Sequence, residues 1–172
     1  GNLLTDDEEV FIIKVAWGGA SLAQDFRPPS RRNDINPNFS EPAEGFGWAY
    51  NAVVTHVTDT LAAIGSIVPN YDPVAGHELV GLVFFQGFND VINSTMVNEY
   101  EINLSRFVSD MRNDLGTSDL KVVIGELGMH GPLDTNCPTQ TAGVSTLRKA
   151  QRTVADNDVG GRFAATGRYS YG

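Results

Sequence analysis

The chain has 172 residues, a formal net charge of −9 and a pI near 4.6. That length is enough for one domain with its own core, and 41% apolar with 19% charged residues is ordinary for a folded globular protein. The acidic balance excludes nucleic acid as a partner, because phosphate binding needs a basic patch, and no apolar run reaches the roughly 18 residues of a membrane span.

Residues 1–9 are polar and acidic and read as a solvated turn. Residues 10–17 (Val-Phe-Ile-Ile-Lys-Val-Ala-Trp) are rich in β-branched and aromatic side chains and predict a first strand ending on Gly18-Gly19. Residues 23–46 hold four of the eight prolines and predict a long irregular loop, a feature that is usually functional in a compact domain. From Gly47 to Ile64 the apolar residues Tyr50, Val53, Val57, Leu61 and Ile64 recur at helical spacing, with Gly65 as the expected stop.

Residues 78–90 contain an unbroken apolar run that ends on Gln86, Gly87, Asn89 and Asp90. The run predicts a strand buried on both faces. A second helix is expected over residues 97–115, with Tyr100, Leu104, Phe107, Val108 and Met111 on one face and Gly116 as its cap. Residues 120–126 predict another buried strand, residues 128–140 a Gly/Pro loop, residues 142–155 a third helix and residues 162–166 a last short strand. Cys137, in that loop, is the only cysteine, so no disulfide can form within the chain, and the compartment stays open. Both ends read as cut, so the expectation is one domain over residues 1–172, truncated at both ends, whose lack of a visible targeting signal says little.

Strands alternating with helices predict right-handed crossovers and a parallel sheet. A parallel sheet delivers every strand's carboxyl end to one side, where such folds place their chemistry. Three polar clusters thus become neighbours: Gly18-Gly19-Ala20-Ser21, Gln86 to Asp90, and Glu126 to His130. Glycine amides beside an amide side chain are what an oxyanion hole requires, namely fixed donors where negative charge develops. Each cluster also has a plainer reading: a tight turn at Gly18-Gly19, a turn cap at Asn89-Asp90, a satisfied carboxylate at Glu126 and a surface histidine at His130. Gly19-Ala20-Ser21-Leu22-Ala23 loosely mimics a nucleophile elbow, but its last residue is alanine and no helix is expected next. The same loop is the only candidate phosphate cradle and lacks the glycine spacing for a nucleotide or flavin. His56 and His77 read as structural or solvated, and no histidine is spaced as a metal ligand.

Residues 11–22 followed by Asp25-Phe26-Arg27-Pro28-Pro29-Ser30 resemble carbohydrate acetylesterases of the sialate O-acetylesterase type, within the SGNH hydrolase superfamily. Phe84 to Asp90 resembles that family's Gly-x-Asn-Asp block. Glu99-Tyr100-Glu101, Val123 to Gly128, and Leu147-Arg148-Lys149-Ala150-Gln151 fit further segments in the expected order. The resemblance implies a three-layer flavodoxin-like α/β domain, with helices on both faces of a parallel sheet, that removes acetyl groups from sugar hydroxyls without a cofactor. It implies a serine nucleophile, a histidine base and an orienting aspartate. It assigns oxyanion donation to Gly19 and Asn89, and it lines the pocket with Gln86, while Asp90 fixes the loop. Glu126 and Ser21 are further substrate-binding candidates at the same edge. Acetylated carbohydrate is the implied partner, and extracellular or secretory action follows from the family's polymeric substrates. Two family blocks are missing from the sequence: the Gly-Gln-Ser-Asn that carries the nucleophile and the Asp-x-x-His that carries the base. The expectation is therefore an incomplete sheet and a fragment that is inactive alone, joined to the rest of a longer parent chain or assembly. The alternative is a non-catalytic esterase-fold module with a sugar-binding or structural role.

Overall fold

Three apolar segments pair side by side. In the computed structural model, which describes residues 9–128, 138–158 and 163–165, they form a parallel sheet of β1 (Gly81–Phe84), β2 (Lys121–Ile124) and β3 (Phe163–Ala165), in the order β1-β2-β3. The register sets Leu82 opposite Val122 and Phe84 opposite Ile124. Around the sheet lie α1 (Trp48–Ala62), α2 (Ile64–Ile67), α3 (Phe88–Val91), α4 (Ser94–Asp114) and α5 (Pro138–Asn157).

The strand order advances without reversing. Right-handed crossovers that advance in one direction place their helices on one face of a sheet. Accordingly α4 and α5 pack against each other, and both join the cluster built on Phe84, Val122 and Ile124. Tyr50, Val53 and Val57 of α1 complete that layer, with the Tyr50 ring set edge-on to Phe107 at 5.6 Å. Tyr100, Leu104, Phe107 and Met111 are fully buried on α4, and burial of a large apolar side chain stabilises by about 1.5–3 kcal/mol. Asn93 caps α4 by accepting from the Thr95 and Met96 amides, and Gly116 closes it with a left-handed φ of 65°.

The opposite face of the sheet differs from the expectation for residues 78–90. Only Gly81–Phe84 is strand, and Val83 and Phe85 are 74% and 65% exposed. The apolar run is not buried on both faces, because both crossover helices lie on the Phe84 side. The α/β class and the parallel sheet are as expected, and a second helical layer is not found among the described residues.

Residues 10–17 do not form the predicted strand. The segment is extended, with Ile13, Val15 and Trp17 half-buried against the core at alternate positions. No backbone hydrogen bond reaches it among the described residues. Side-chain alternation survives there, but a strand requires a ladder partner.

The 23–46 loop is irregular, as predicted, apart from a 3-10 turn at Pro29–Arg31. Its anchor is Arg27, fully buried, whose guanidinium donates to Ala23 O and Arg31 O at 2.8 Å each, to Asp34 O, and to Glu99 Oε2 at 3.0 Å. Gly65 is not the helix stop. The break falls at Ala63, whose amide bonds to Asp59 O and Thr60 O, and Gly65 sits inside α2. A Cβ at Gly65 would meet the Tyr71 ring at 3.4 Å, an ordinary packing contact.

Candidate active site

Residues 10–17 and β1 end close together on one side of the molecule. Between their ends lies a cleft of about 490 Å³, lined by Trp17, Gly19, Gln86, Phe88, Asn89 and Gly128 among others. A larger groove of about 790 Å³ runs between α4 and α5, past Asn98, Ser105 and Asn157. The smaller cleft is the better candidate, because it lies at the carboxyl ends of β1 and β2, where the Gly19 main chain and the Asn89 amide converge.

Two features bring those donors together. Gly19 has φ +82°, a conformation that favours glycine, and a Cβ built there would stand 3.6 Å from Asn89 Nδ2. The Gly19 main chain thus runs directly beside the Asn89 amide. Gly87, at φ +147°, turns the end of β1 into α3, and a Cβ there would lie 2.8 Å from Leu147 and 2.9 Å from Leu127. The turn carries Asn89 back over the strand end. Among the described residues neither the Gly19 N–H nor the Asn89 side chain has a hydrogen-bond partner. Two adjacent, uncommitted N–H donors can hold a developing oxyanion.

Beneath them is a buried polar network. Asp90 is 0% exposed and accepts from Leu22 N at 2.8 Å, Ala23 N at 2.9 Å and Gln86 Nε2 at 2.7 Å. Burial pushes its carboxyl up to about 6, against the pull of those three donors and with a further push from nearby Asp25. Gln86 Nε2 also donates to Ala20 O at 3.2 Å, while its buried Oε1 has no partner. Tyr100 donates its hydroxyl to Gln86 O at 2.9 Å, and burial raises its phenol well above the usual range. Gln151, 2% exposed, joins Gln86 O, Gly125 O and the Tyr100 hydroxyl, and accepts from Leu127 N. One side chain of α5 therefore stitches the carboxyl ends of β1 and β2 together.

The other candidates fall into place around this centre. Ser21 is 3% exposed; its hydroxyl donates to Asp25 Oδ2 at 3.1 Å and accepts from Gln24 N at 3.1 Å. Asp25 also takes the Ser21 amide and Trp48 Nε1, so the pair ties the loop internally. Glu126, at the end of β2, forms a two-point ion pair with Arg152 at 2.6 and 2.8 Å, with Arg148 at 3.9 Å. Asp90 and Ser21 lie under the cleft, and Glu126 is bound to arginines beside it. His130 lies outside the described residues. His56 is exposed on α1, and His77 meets the Tyr71 hydroxyl at 3.0 Å. No group of metal-binding side chains occurs among the described residues, and no helix there is long and apolar enough to cross a membrane.

The reading from sequence missed Tyr100, Gln151 and Asp25 as parts of the site. Tyr100 lies on the apolar stripe of α4, where only its hydroxyl sets it apart. Gln151 is the more legible of the two, being a polar residue four positions after the buried Leu147 on the inward face of α5.

A family model for carbohydrate esterases, the sialic acid-specific acetylesterases, matches residues 2–161. Comparison with curated proteins and with solved structures gives no match. The chain belongs to the sialic acid-specific acetylesterase family of carbohydrate esterases.

Proposed function

We propose that this member of the acetylesterase family supplies the oxyanion-stabilising part of a carbohydrate O-acetylesterase, with Gly19 N–H and Asn89 Nδ2 as the donors. The observation that carries the proposal is the approach of Asn89 Nδ2 to Gly19, 3.6 Å from where a Cβ would stand, with no other described group engaging that amide. In the reaction, a serine hydroxyl attacks the acetyl carbonyl while a histidine takes its proton. The carbonyl oxygen becomes negative and is held by the two donors. The sugar hydroxyl then leaves, and water releases acetate from the acyl-enzyme.

The serine and histidine come from segments other than the described ones. Ser21 is committed to Asp25, and among the described residues neither His56 nor His77 has a hydrogen bond to a serine, threonine or cysteine. The unpaired extended segment 10–17 and the exposed outer side of β1 support an incomplete sheet that another segment of the parent chain, or of an assembly, fills. Gln86 and Glu126 border the acyl site, and Asp90 and Ser21 support it from below. No step of this route calls on a cofactor.

The test is acetate release from O-acetylated sugars. The complete parent protein is expected to turn over, and the 172-residue chain alone is expected to leave an aryl acetate intact. Rapid turnover by the chain alone, abolished by Ser21→Ala, would refute the assignment. A second reading, a sugar-binding module without catalysis, is favoured by the engaged hydroxyl of Ser21. Binding of acetylated sugar without hydrolysis by the parent protein would establish that second reading.

A further inference from the structure

Three aromatic rings line the same cleft as the Gly19 main chain and the Asn89 amide: Trp17, Phe85 and Phe88. Phe85 and Phe88 are 65% and 57% exposed. Single exposed apolar side chains are common on protein surfaces, but a cluster in one concave place marks a binding surface. Phe85 directly follows the last residue of β1 and Phe88 opens α3, so both belong to the strand end that also carries Asn89. Two of the rings are braced from behind. A Cβ at Gly125 would overlap the Phe85 ring, standing 2.9 Å from Cε2 and 3.0 Å from Cγ, so the ring lies across bare main chain just past β2. Trp17 is half-buried, with the Trp48 ring edge-on at 4.9 Å and the Phe26 ring at 6.0 Å. Rings held in this way lose little freedom when a ligand arrives. Among the described residues that line the cleft, the polar side chains are the amides of Gln86 and Asn89, and none carries a charge.

We propose that Phe85 and Phe88, with Trp17, form the platform on which the sugar ring of the substrate stacks, leaving its acetyl group to reach Gly19 and Asn89. The inference rests on the carbohydrate reading given above and adds the class of sugar: a pyranose with a ring face that presents axial C–H bonds and no hydroxyl. The face of an aromatic ring is the negative end of its quadrupole, and C–H hydrogens beside oxygen are slightly positive, so the two faces attract. The equatorial hydroxyls of such a sugar point away from the rings and stay free for water or for the amides. An acyclic polyol carries the same hydroxyls without the face and has nothing to stack. The cleft, at about 490 Å³, is of the size that holds small molecules, and aromatic walls with a few placed polar groups are the usual lining of such sites.

Titration of the 172-residue chain with methyl β-D-glucopyranoside, followed by amide NMR, tests this without ester turnover, so failure of the esterase reading leaves the result legible. Saturable shifts are expected at Gly87, Phe88 and Asn89, with none for mannitol at equal concentration. Saturation transfer from the aromatic protons should reach the hydrogens of one face of the pyranose more strongly than those of the other. Phe85→Leu and Phe88→Leu keep apolar bulk but remove the ring, and each should weaken binding at least about threefold. Phe11, 44% exposed, lies outside the cleft lining, and Phe11→Leu should bind as the wild type does. Absent or unsaturable shifts with the glucoside would overturn the proposal, as would an equal response to mannitol or wild-type affinity in either cleft variant. So would shifts of the same amides with protein concentration in the absence of sugar, which would mark the rings as a contact between copies of the chain.

Discussion

Gly87→Ala tests the packing that puts Asn89 in place. The new Cβ would lie 2.8 Å from Leu147 Cδ2 and 2.9 Å from Leu127 Cδ1. Those leucines are 0% and 5% exposed, so they have no solvent to swing into. Overpacking of this kind costs about 1–3 kcal/mol. Residue 87 also has φ +147°, which alanine tolerates poorly, at about 1–3 kcal/mol more. Alanine stiffens the unfolded chain and returns about 0.4–1 kcal/mol, so the net loss should be about 1–5.5 kcal/mol. Gly116→Ala is the control, because its φ of 65° is also left-handed but nothing lies within 4 Å of its Cβ. It should lose only the backbone part, about 1–2 kcal/mol. Urea unfolding followed by the fluorescence of Trp17 and Trp48 measures both. If Gly87→Ala is no more destabilised than Gly116→Ala, the leucine wall does not constrain the turn and the reasoning fails.

If Gly19 and Asn89 are the oxyanion donors as proposed, Asn89→Ala should lower kcat for acetyl ester hydrolysis by about 10²–10³-fold, as loss of one oxyanion donor does, with an unchanged unfolding midpoint. A smaller loss in turnover, or an equal loss confined to KM, would move the oxyanion elsewhere. Asp90 should make stability depend on pH in a defined direction. Its folded value near 6 exceeds the ordinary 3.8, so the native state binds the extra proton between them. Its contribution is full below 3.8 and is lost as pH rises through 6, by about 3 kcal/mol for about two pH units. The stability of Asp90→Asn relative to wild type should therefore improve by that amount from acid to neutral pH, and a gap that stays constant would contradict it. Arg27→Leu should cost about 3–5 kcal/mol, since Glu99 and the carbonyls of Ala23, Arg31 and Asp34 lose a buried cation. An unfolding midpoint at the wild-type value would show that the loop stands without it.

Much of the fold was legible because helices declare themselves locally. The stripe from Tyr100 to Met111 and the glycine at 116 located α4 to within a few residues, and α5 extended further than its apolar positions alone suggested. Strands declare only their side chains. Residues 10–17 have the right composition and even the right alternation, yet a ladder depends on a partner the segment itself does not encode. The exposure of Val83 was hidden for a similar reason, since the face a crossover covers follows from strand order. At the site, glycines and a terminal amide at a strand end pointed to Gly19 and Asn89. The polar underside was not legible: Gln151 and Tyr100 act through main-chain atoms of residues 14–65 positions away.

The long loop shows how differently the two parts of the molecule are fastened. The sheet with α4 and α5 is held by hydrocarbon. The arm from Gly19 to Asp34 is held largely by charge: Asp90 on the Leu22 and Ala23 amides, Glu99 on Arg27, and Asp110 on the Ser30 amide. Salt acts on the second kind of fastening, and cooling acts on the first. Leu22 and Phe26 of the arm also lie in the apolar cluster with Phe84, so the donor pair sits where the two kinds of fastening meet.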